Sequence, residues 1–473
     1  MSINADYSAT PQGTTKPRIP PLVWLSCVAA AAGGLLFGLH AGIMTGALDF
    51  VSQDFQASVT QKGWIMGSML AGAAVGALGA SVISNALGRK RSLLLSSLLF
   101  FIGALVACMA KNVETFIVAR ILLGLAIGIV SFVVPLYLSE ISPQHIRGTV
   151  LASFQLMVTI GILVAYLINF AFSSTANWEW MLGVTMIPAA LMILSMLFLP
   201  ESPRWMVSRG AMDAARTTLK RLSGSDTDAE RELSTIHKAL NQQSGPKVKG
   251  SALFFSNGNF RRSVLLGILI QAMQQFAGIN AVIYYAPKIF EMANFQGTGT
   301  MVTTVIVGVV NLLATIVAVA FADRWGRKPI LYAGFAIMAI SMAVLGIIIH
   351  IGASNSALQI IAVLAVLIFI VGFAMSIGPL AWALCAEIQP TQGRDFGLGC
   401  STITNWVCNM LIAAYFPLVL EEIGGPSTFA VLAIANAVFF FLTIILIPET
   451  KGVPLEEIEA NLAKGMPLRR LGR

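Results

Sequence analysis

The sequence predicts an all-α integral membrane protein of twelve transmembrane helices, arranged as two pseudo-symmetric halves of six. Three observations carry this. Only 11% of the 473 residues are charged and 56% are hydrophobic, whereas a water-soluble domain carries about 25% charged residues. Apolar runs long enough to cross a bilayer recur along the whole chain. Three short motifs appear twice, in the same order, once in each half.

Each span has to be a helix, because backbone groups in lipid must bond within their own segment. The short alternating segments of a membrane β-barrel are absent. The spans fall at roughly 22–48, 63–84, 92–110, 115–138, 150–171, 179–199, 261–290, 299–322, 329–350, 358–383, 396–420 and 427–447. The first is longer than the apolar core of a signal peptide, so it reads as a span. Cys27, Cys108, Cys385, Cys400 and Cys408 all lie within spans, without metal-ligand spacing, and read as small apolar fillers.

Charge sets the orientation. Of the 30 Lys and Arg, all but Lys62, Lys111, Lys288 and Arg120 fall at the chain ends or in the even-numbered connections. The positive-inside rule then puts both termini in the cytoplasm, as expected of a multi-pass protein of a bacterial inner membrane. The net charge of +8 follows from this topology and gives no case for nucleic-acid binding.

The chain divides into a cytoplasmic tail (1–21), a first six-helix half (22–199), a cytoplasmic loop (200–260), a second half (261–447) and a cytoplasmic tail (448–473). Within the loop, "SDTDAERELSTIHKAL" (225–240) predicts a short amphipathic helix capped by Ser225 or Asp226. The halves repeat each other: "LGRKR" (87–91) recurs as "WGRKP" (325–329), "SEISPQHIRG" (139–148) as "AEIQPTQGRD" (386–395), and "LPESPRW" (199–205) as "IPETKG" (447–452). An even number of spans per half gives both the same orientation. Many secondary transporters have this plan, with substrate held between the halves near the midplane.

Two groups of residues carry candidate chemistry. At the basic span ends, Arg89, Arg147, Arg327 and Arg394 can meet Glu140 and Glu387. Pairs that bridge the halves would form a cytoplasmic gate; the plainer alternative is that they are topology determinants. The second group is uncharged: "QAMQQFAGINAVIYY" (271–285) holds Gln271, Gln274, Gln275 and Asn280, and other spans add Gln155, Asn311, Asn405 and Asn409. Amides in hydrocarbon are costly unless paired. They offer donors and acceptors without charge, which suits a ligand rich in hydroxyls. Trp382 and Trp406 can stack on the apolar face of a sugar ring, and Gly278 and Pro379 let their helices break nearby. Any one amide can equally be glue between helices.

The motifs "PLYLSEISPQHIRG", "PESPRW", "QQFAGINAVIYYAP", "DRWGRKP" and "PET" resemble the sugar porter family of the major facilitator superfamily, over roughly residues 30 to 465. Within it, the pattern resembles that of the bacterial galactose–proton and arabinose–proton symporters. The resemblance implies the major facilitator fold, alternating access, and a sugar site at Gln155, Gln274, Gln275, Asn280, Asn311, Trp382 and Asn405 with Phe37 and Trp406 nearby. It implies no cofactor or metal. The partners expected are a monosaccharide, a proton and membrane lipid, with the chain acting as a monomer.

One position departs from the pattern. Proton-coupled members of the family carry Asp where this chain has His40, paired with an Arg at the position of Arg120; facilitative members carry Asn. A protonated His beside Arg120 would be a second cation. Three roles stay open: a proton carrier with inverted charge logic, a neutral hydrogen-bonding ring in a uniporter, or a tolerated ring near a water-filled vestibule. Two other classes rank below transport. A sugar sensor would be expected to carry a longer signalling tail than the segment after residue 448, and an enzyme would need a metal cluster, paired carboxylates or an activated nucleophile.

Overall fold

The computed structural model describes residues 20–142, 146–223, 225–242, 250–295, 298–321, 326–390, 392–453 and 455–472, and among these there is no β-strand. The expected N-terminal tail lies almost entirely outside the described residues. The first half comprises α1 (Pro21–Asp54), α2 (Val59–Leu87), α3 (Arg89–Cys108), α4 (Val113–Ile141), α5 (Arg147–Phe172), and a sixth span split into α6 (Trp178–Gly183) and α7 (Met186–Phe198). Four short helices follow: α8 (Pro203–Ser208), α9 (Met212–Ser223), α10 (Asp226–Gln242) and α11 (Gly250–Ser256). The second half comprises α12 (Gly258–Phe276), α13 (Ile279–Tyr284), α14 (Ala286–Met292), α15 (Thr298–Phe321), α16 (Arg327–Ile351), α17 (Ser356–Ala374), α18 (Ile377–Ile388) and α19 (Arg394–Leu446), before a final α20 (Leu455–Ala463).

Among the described residues, eleven helical segments are long and apolar enough to cross a bilayer. The last of them, α19, is 53 residues long and bends at Gly424 (φ 75°, ψ 164°), so its two arms supply two crossings. The total is therefore the twelve expected. The outer surface is that of a lipid-facing protein: Ile340, Ile347 and Ile351 on α16, and Leu191, Leu194 and Phe198 on α7, are all exposed. Span ends are set by polar caps. Ser58 and Gln61 form a reciprocal capping box at α2, and Asn112 and Asn355 cap α4 and α17. In the connecting segment, α8, α9 and α10 pack around Val207, Leu219 and Leu233, and Ser225 accepts from the Asp228 N–H at the start of α10, as the sequence predicts.

Helices within a half touch where side chains are absent, because lipid supplies no hydrophobic drive for association and close backbone approach has to. Gly124 and Gly128 of α4 lie directly against the α2 backbone at Met69 and Ala73. A side chain there forces the helices apart, at about 1–3 kcal/mol for overpacking. Gly128→Val is therefore expected to lower the melting temperature in detergent by several degrees. Gly79→Ala, whose added methyl meets only Ile83 Cδ1 at 3.6 Å, should leave it unchanged. Equal melting of both variants would show that the α2–α4 contact is not set by these glycines.

Candidate functional site

Two spans of the second half are broken at the level of the amide cluster. The seventh breaks at Gly278, whose left-handed φ of 99° separates α12 from α13. The tenth breaks between Ala374 and Ile377, separating α17 from α18. Broken helices leave backbone groups without partners, and in lipid these must be met from within the protein. The amides do this. Gln274 Nε2 donates to Gly378 O (2.8 Å) and Ile377 O (3.3 Å). Asn436 Nδ2, from the second arm of α19, donates to Ala277 O at 3.0 Å.

The same amides bond to one another. Asn280 Nδ2 donates to Gln275 Oε1 (2.6 Å) and Gln275 Nε2 to Gln274 Oε1 (3.2 Å). Asn405 Nδ2 donates to Gln271 Oε1 (2.7 Å) and Gln274 Oε1 (2.5 Å). Four predicted site residues are thus brought into one network: Gln274, Gln275, Asn280 and Asn405. Phe37 of the first half meets Trp406 of the second, with ring centroids 5.6 Å apart, and the buried Trp406 Nε1 has no hydrogen-bond partner. Asn311 is buried on α15, Gln155 is exposed on α5, and Trp382 is 43% exposed on α18; none of the three joins the network. Cys385 is more than a filler, since its Sγ takes a long hydrogen bond from Gln271 Nε2 at 3.7 Å.

His40 and Arg120 are both buried, at 0% and 1% exposure. They meet through the main chain. Arg120 Nη1 donates to the His40 carbonyl at 3.4 Å and Nε to the Ile65 carbonyl at 3.2 Å. The imidazole itself stacks on Phe100, with centroids 5.3 Å apart and planes 3° off parallel, and neither ring nitrogen has a hydrogen-bond partner.

The halves are joined at the end of the bundle poor in Lys and Arg. Thr45 Oγ1 and Tyr166 Oη, both from the first half, donate to the same acceptor, the carbonyl of Ile283 on α13, at 3.1 and 3.0 Å. Gly63 and Gly67 of α2 sit against Ala414 of α19 near the same end. Beyond this closure lies a cavity of about 590 Å³ lined by Asp49, Lys62, Tyr284, Lys288 and Glu421 among others. The sequence reading missed the Thr45–Tyr166–Ile283 clamp, because a hydroxyl inside a span usually bonds back to its own helix and carries no signal of a distant partner.

At the basic end, the motif residues form two matching clusters, one per half. Arg89 pairs with Glu140 (2.8 Å) and Arg327 with Glu387 (3.1 Å). Ser202 Oγ donates to Glu140 and Thr450 Oγ1 to Glu387, each at 2.5 Å. The expected bridges between the halves are therefore corrected: each pair closes within its own half, because the partner carboxylate is the neighbouring helix end of the same repeat. Arg394 donates to the Gln389 carbonyl at 3.2 Å instead of meeting a carboxylate, and the Arg147 side chain lies outside the described residues.

The third repeated motif supplies a carboxylate that the sequence reading did not single out. Glu201 Oε1 accepts from the Arg89 and Lys90 N–H groups at 2.8 and 3.1 Å, and Glu449 accepts from those of Arg327 and Lys328 at 3.0 and 3.1 Å. Each carboxylate thus seals the positive end of a helix. Gly88 (φ 94°) and Gly326 (φ 88°) are needed there, since a Cβ on either would collide with that carboxylate. The recurrence of Glu in "PES" and "PET" was the available signal.

Residues 26–462 match the family described as "Sugar (and other) transporter". The chain belongs to this sugar transporter family. It is 50% identical over 452 residues to the galactose-proton symporter of Escherichia coli K12, covering 95% of this chain and 97% of that one. It is 44% identical over 476 residues to the arabinose-proton symporter of the same strain, covering 100% of both chains. Among solved structures it is similar to the inward open conformation of the xylose transporter XylE from E. coli, with a TM-score of 0.80, 28% identity, and coverage of 93% of this chain and 99% of that one. The fold is that of the major facilitator superfamily.

The clamp on Ile283 gives a direct test of what holds this end of the transporter shut. Each hydrogen bond contributes about 1 kcal/mol, so removing both should shift the open–closed balance by about thirtyfold. In the Thr45→Val/Tyr166→Phe double variant, a cysteine at Ala414, buried against Gly63 and Gly67 across the same junction, is expected to label about thirty times faster. An unchanged rate would mean that α13 is held by packing alone.

Proposed function

We propose that the chain is a proton-coupled monosaccharide symporter of the bacterial inner membrane, working by alternating access between its two six-helix halves. The observation that carries this is the uncharged amide network at the paired helix breaks. It offers donors and acceptors with no net charge, which matches a neutral polyol, and it has aromatic faces at Phe37 and Trp406 beside it. Substrate sites of such transporters form where discontinuous helices meet between repeats. The names of the two E. coli relatives support the same reading.

The sugar site assigned here comprises Gln155, Gln274, Gln275, Asn280, Asn311, Trp382 and Asn405, with Phe37 and Trp406 beside it. With both termini cytoplasmic, the closed end faces outward, so the structure corresponds to an inward-facing state. In this state the site exchanges sugar at the basic end, where Arg89, Glu140, Arg327 and Glu387 brace each half separately and Arg147 and Arg394 mark the same helix ends.

His40 carries the proton in this reading. Neither ring nitrogen has a partner, so the one without a hydrogen keeps a lone pair that can accept a proton. The resulting imidazolium would lie beside Arg120, which holds α4 to the main chain of α1 at His40 itself. Like-charge repulsion would then loosen this contact between α1 and α4. That is the kind of bistable element a coupled transporter needs. Facilitated uniport is the second reading, and it is favoured by the packing of a fully buried His40 flat against Phe100, where the ring fills the core as a neutral side chain does.

Two experiments separate these possibilities. In purified protein, Gln275→Ala and Asn280→Ala should each weaken sugar binding by about 1–3 kcal/mol, the cost of leaving hydroxyls unpaired. Unchanged affinity in both, with the fold intact, removes the site assignment. In vesicles with an imposed pH gradient, the wild type should concentrate sugar. His40→Asn should exchange sugar without concentrating it, and His40→Asp should regain accumulation. A wild type that only equilibrates sugar is a uniporter, and one that binds sugar without counterflow is a sensor.

A further inference from the structure

The segment after the last span is folded against the basic end of the second half. Helix α20 buries Ile458 and Leu462, and Gly465 (φ 74°) turns the chain back at its end. A 3₁₀ turn at Leu468–Arg470 follows. Such a helix has three residues per turn, so residues three apart share a face. Leu468 and Leu471 take the inner face and pack with Ile458 and Leu462, and Leu471 is fully buried. Arg469 and Arg470, between them, are exposed.

Main-chain contacts hold the turn in place. Asn461 Nδ2 donates to Leu471 O at 3.0 Å. Gly472 lies so close to the Glu449 carbonyl that a Cβ there would collide with it. On the other side, the first turn of α12 grips the end of α20. Asn259 Nδ2 donates to Ala463 O at 3.1 Å, and Arg262 donates from Nη1 to Gly465 O at 3.4 Å and from Nη2 to Met466 O at 3.1 Å. Positive-inside bias asks only that basic residues be near a span end, not that they be fixed there. Arg469 and Arg470 are fixed.

The same turn of α12 gives their depth. Leu265 is the first exposed apolar side chain of α12, at 50%, and Arg261 is exposed one turn before it. Asn259 and Arg262 stand roughly 4–9 Å outside Leu265 along the axis, at the level of a headgroup layer roughly 5–8 Å thick. Phe255 of α11, just before that turn, is 81% exposed, as a side chain resting in the membrane interface is. The charge there has one sign. Lys464 is exposed beside the arginines in sequence, whereas Glu456, Glu457 and Glu459 all fall at the far, N-terminal end of α20.

We propose that the turn at 468–471, with Lys464, is a docking site for the headgroup of an anionic phospholipid. The leaflet is the one at the basic end, which the positive-inside rule makes the cytoplasmic one. Guanidinium forks bind a phosphate through paired hydrogen bonds. A zwitterionic headgroup carries the same phosphate, but its ammonium cancels the long-range attraction, so an anionic lipid is preferred. A bound lipid also stabilises the folded segment that α12 holds. The site is independent of which sugar is carried.

The experiment titrates purified full-length protein, in a neutral maltoside detergent, with dioctanoyl phosphatidylglycerol or dioctanoyl phosphatidylcholine. The rise in melting temperature gives the apparent affinity. Phosphatidylglycerol should raise it at concentrations where phosphatidylcholine does not. Each basic residue at an anionic surface contributes a factor of about five, so Arg469→Gln/Arg470→Gln should weaken the affinity about twentyfold. Arg221→Gln/Lys238→Gln removes the same charge from exposed positions of α9 and α10 and should leave the affinity unchanged. Leu471→Ser keeps both arginines but frees the turn, and it should lose the preference for phosphatidylglycerol.

Equal losses in the two double variants overturn the proposal, because the attraction is then to net charge. A Leu471→Ser variant that binds as the wild type does overturns it too, since the arginines then need no fixed place. An equal response to the two lipids has the same consequence. Competition by inorganic phosphate, where potassium chloride of equal ionic strength does not compete, makes this a site for a soluble anion and overturns the assignment to lipid.

Discussion

A helix broken inside a bilayer exposes carbonyls and N–H groups that lipid cannot satisfy, and the organisation of this transporter follows from how that cost is met. The breaks at Gly278 and at 375–376 place irregular backbone deep in the second half. Irregular backbone at that depth is tolerated only where protein or a water-lined cavity surrounds it. Here Asn436 supplies a donor to Ala277 O at the end of α12, and Gln274 braces the start of α18 through its first two carbonyls. Once these amides are in place, further amides can be paired at little cost, and a polar network accumulates in a region where a single isolated amide would be expelled. The candidate site is thus a consequence of the breaks as much as of any ligand.

The two ends of the bundle are held by different physics. At the basic end each half carries a closed electrostatic unit: an Arg–Glu pair, a hydroxyl on the same carboxylate, and a second Glu on the N-terminus of the neighbouring helix. These units rigidify a half without joining it to the other, so the halves are free to separate there. At the opposite end the junction rests on two hydroxyls and one carbonyl, together with glycine-lined contacts. Neutral hydrogen bonds of about 1 kcal/mol each suit a junction that has to open in every cycle, where a buried ion pair would be costly to break.

His40 and Arg120 form a further polar island in the first half. The guanidinium is held by main-chain carbonyls alone among the contacts described, and the imidazole is left between Phe100 and the helix packing. An Asp at position 40 would have placed a carboxylate beside Arg120 and a large share of the local energy in that one pair. With His the same two helices are linked through backbone, and the protonation state of the ring decides whether a second positive charge stands next to the first.

The sequence by itself determined the fold class, the twelve spans and the repeat. Those rest on the solvent: lipid demands about 20 apolar residues per crossing and internal backbone bonding, and both demands are written locally in composition. It also supplied the chemical character of the site, since amides in a span are costly enough to mark themselves. Only the tertiary structure decided the partners. That Arg89 meets Glu140 within a half, that Glu201 and Glu449 cap α3 and α16, that Thr45 and Tyr166 share the Ile283 carbonyl, and that Gln274 braces the start of α18 are pairings between residues far apart in the chain. A hydrogen bond is set by ångström-scale distance and direction. Periodicity places a residue on a face and at a depth, but which groups on neighbouring helices come within 3 Å depends on how those helices cross and where they break.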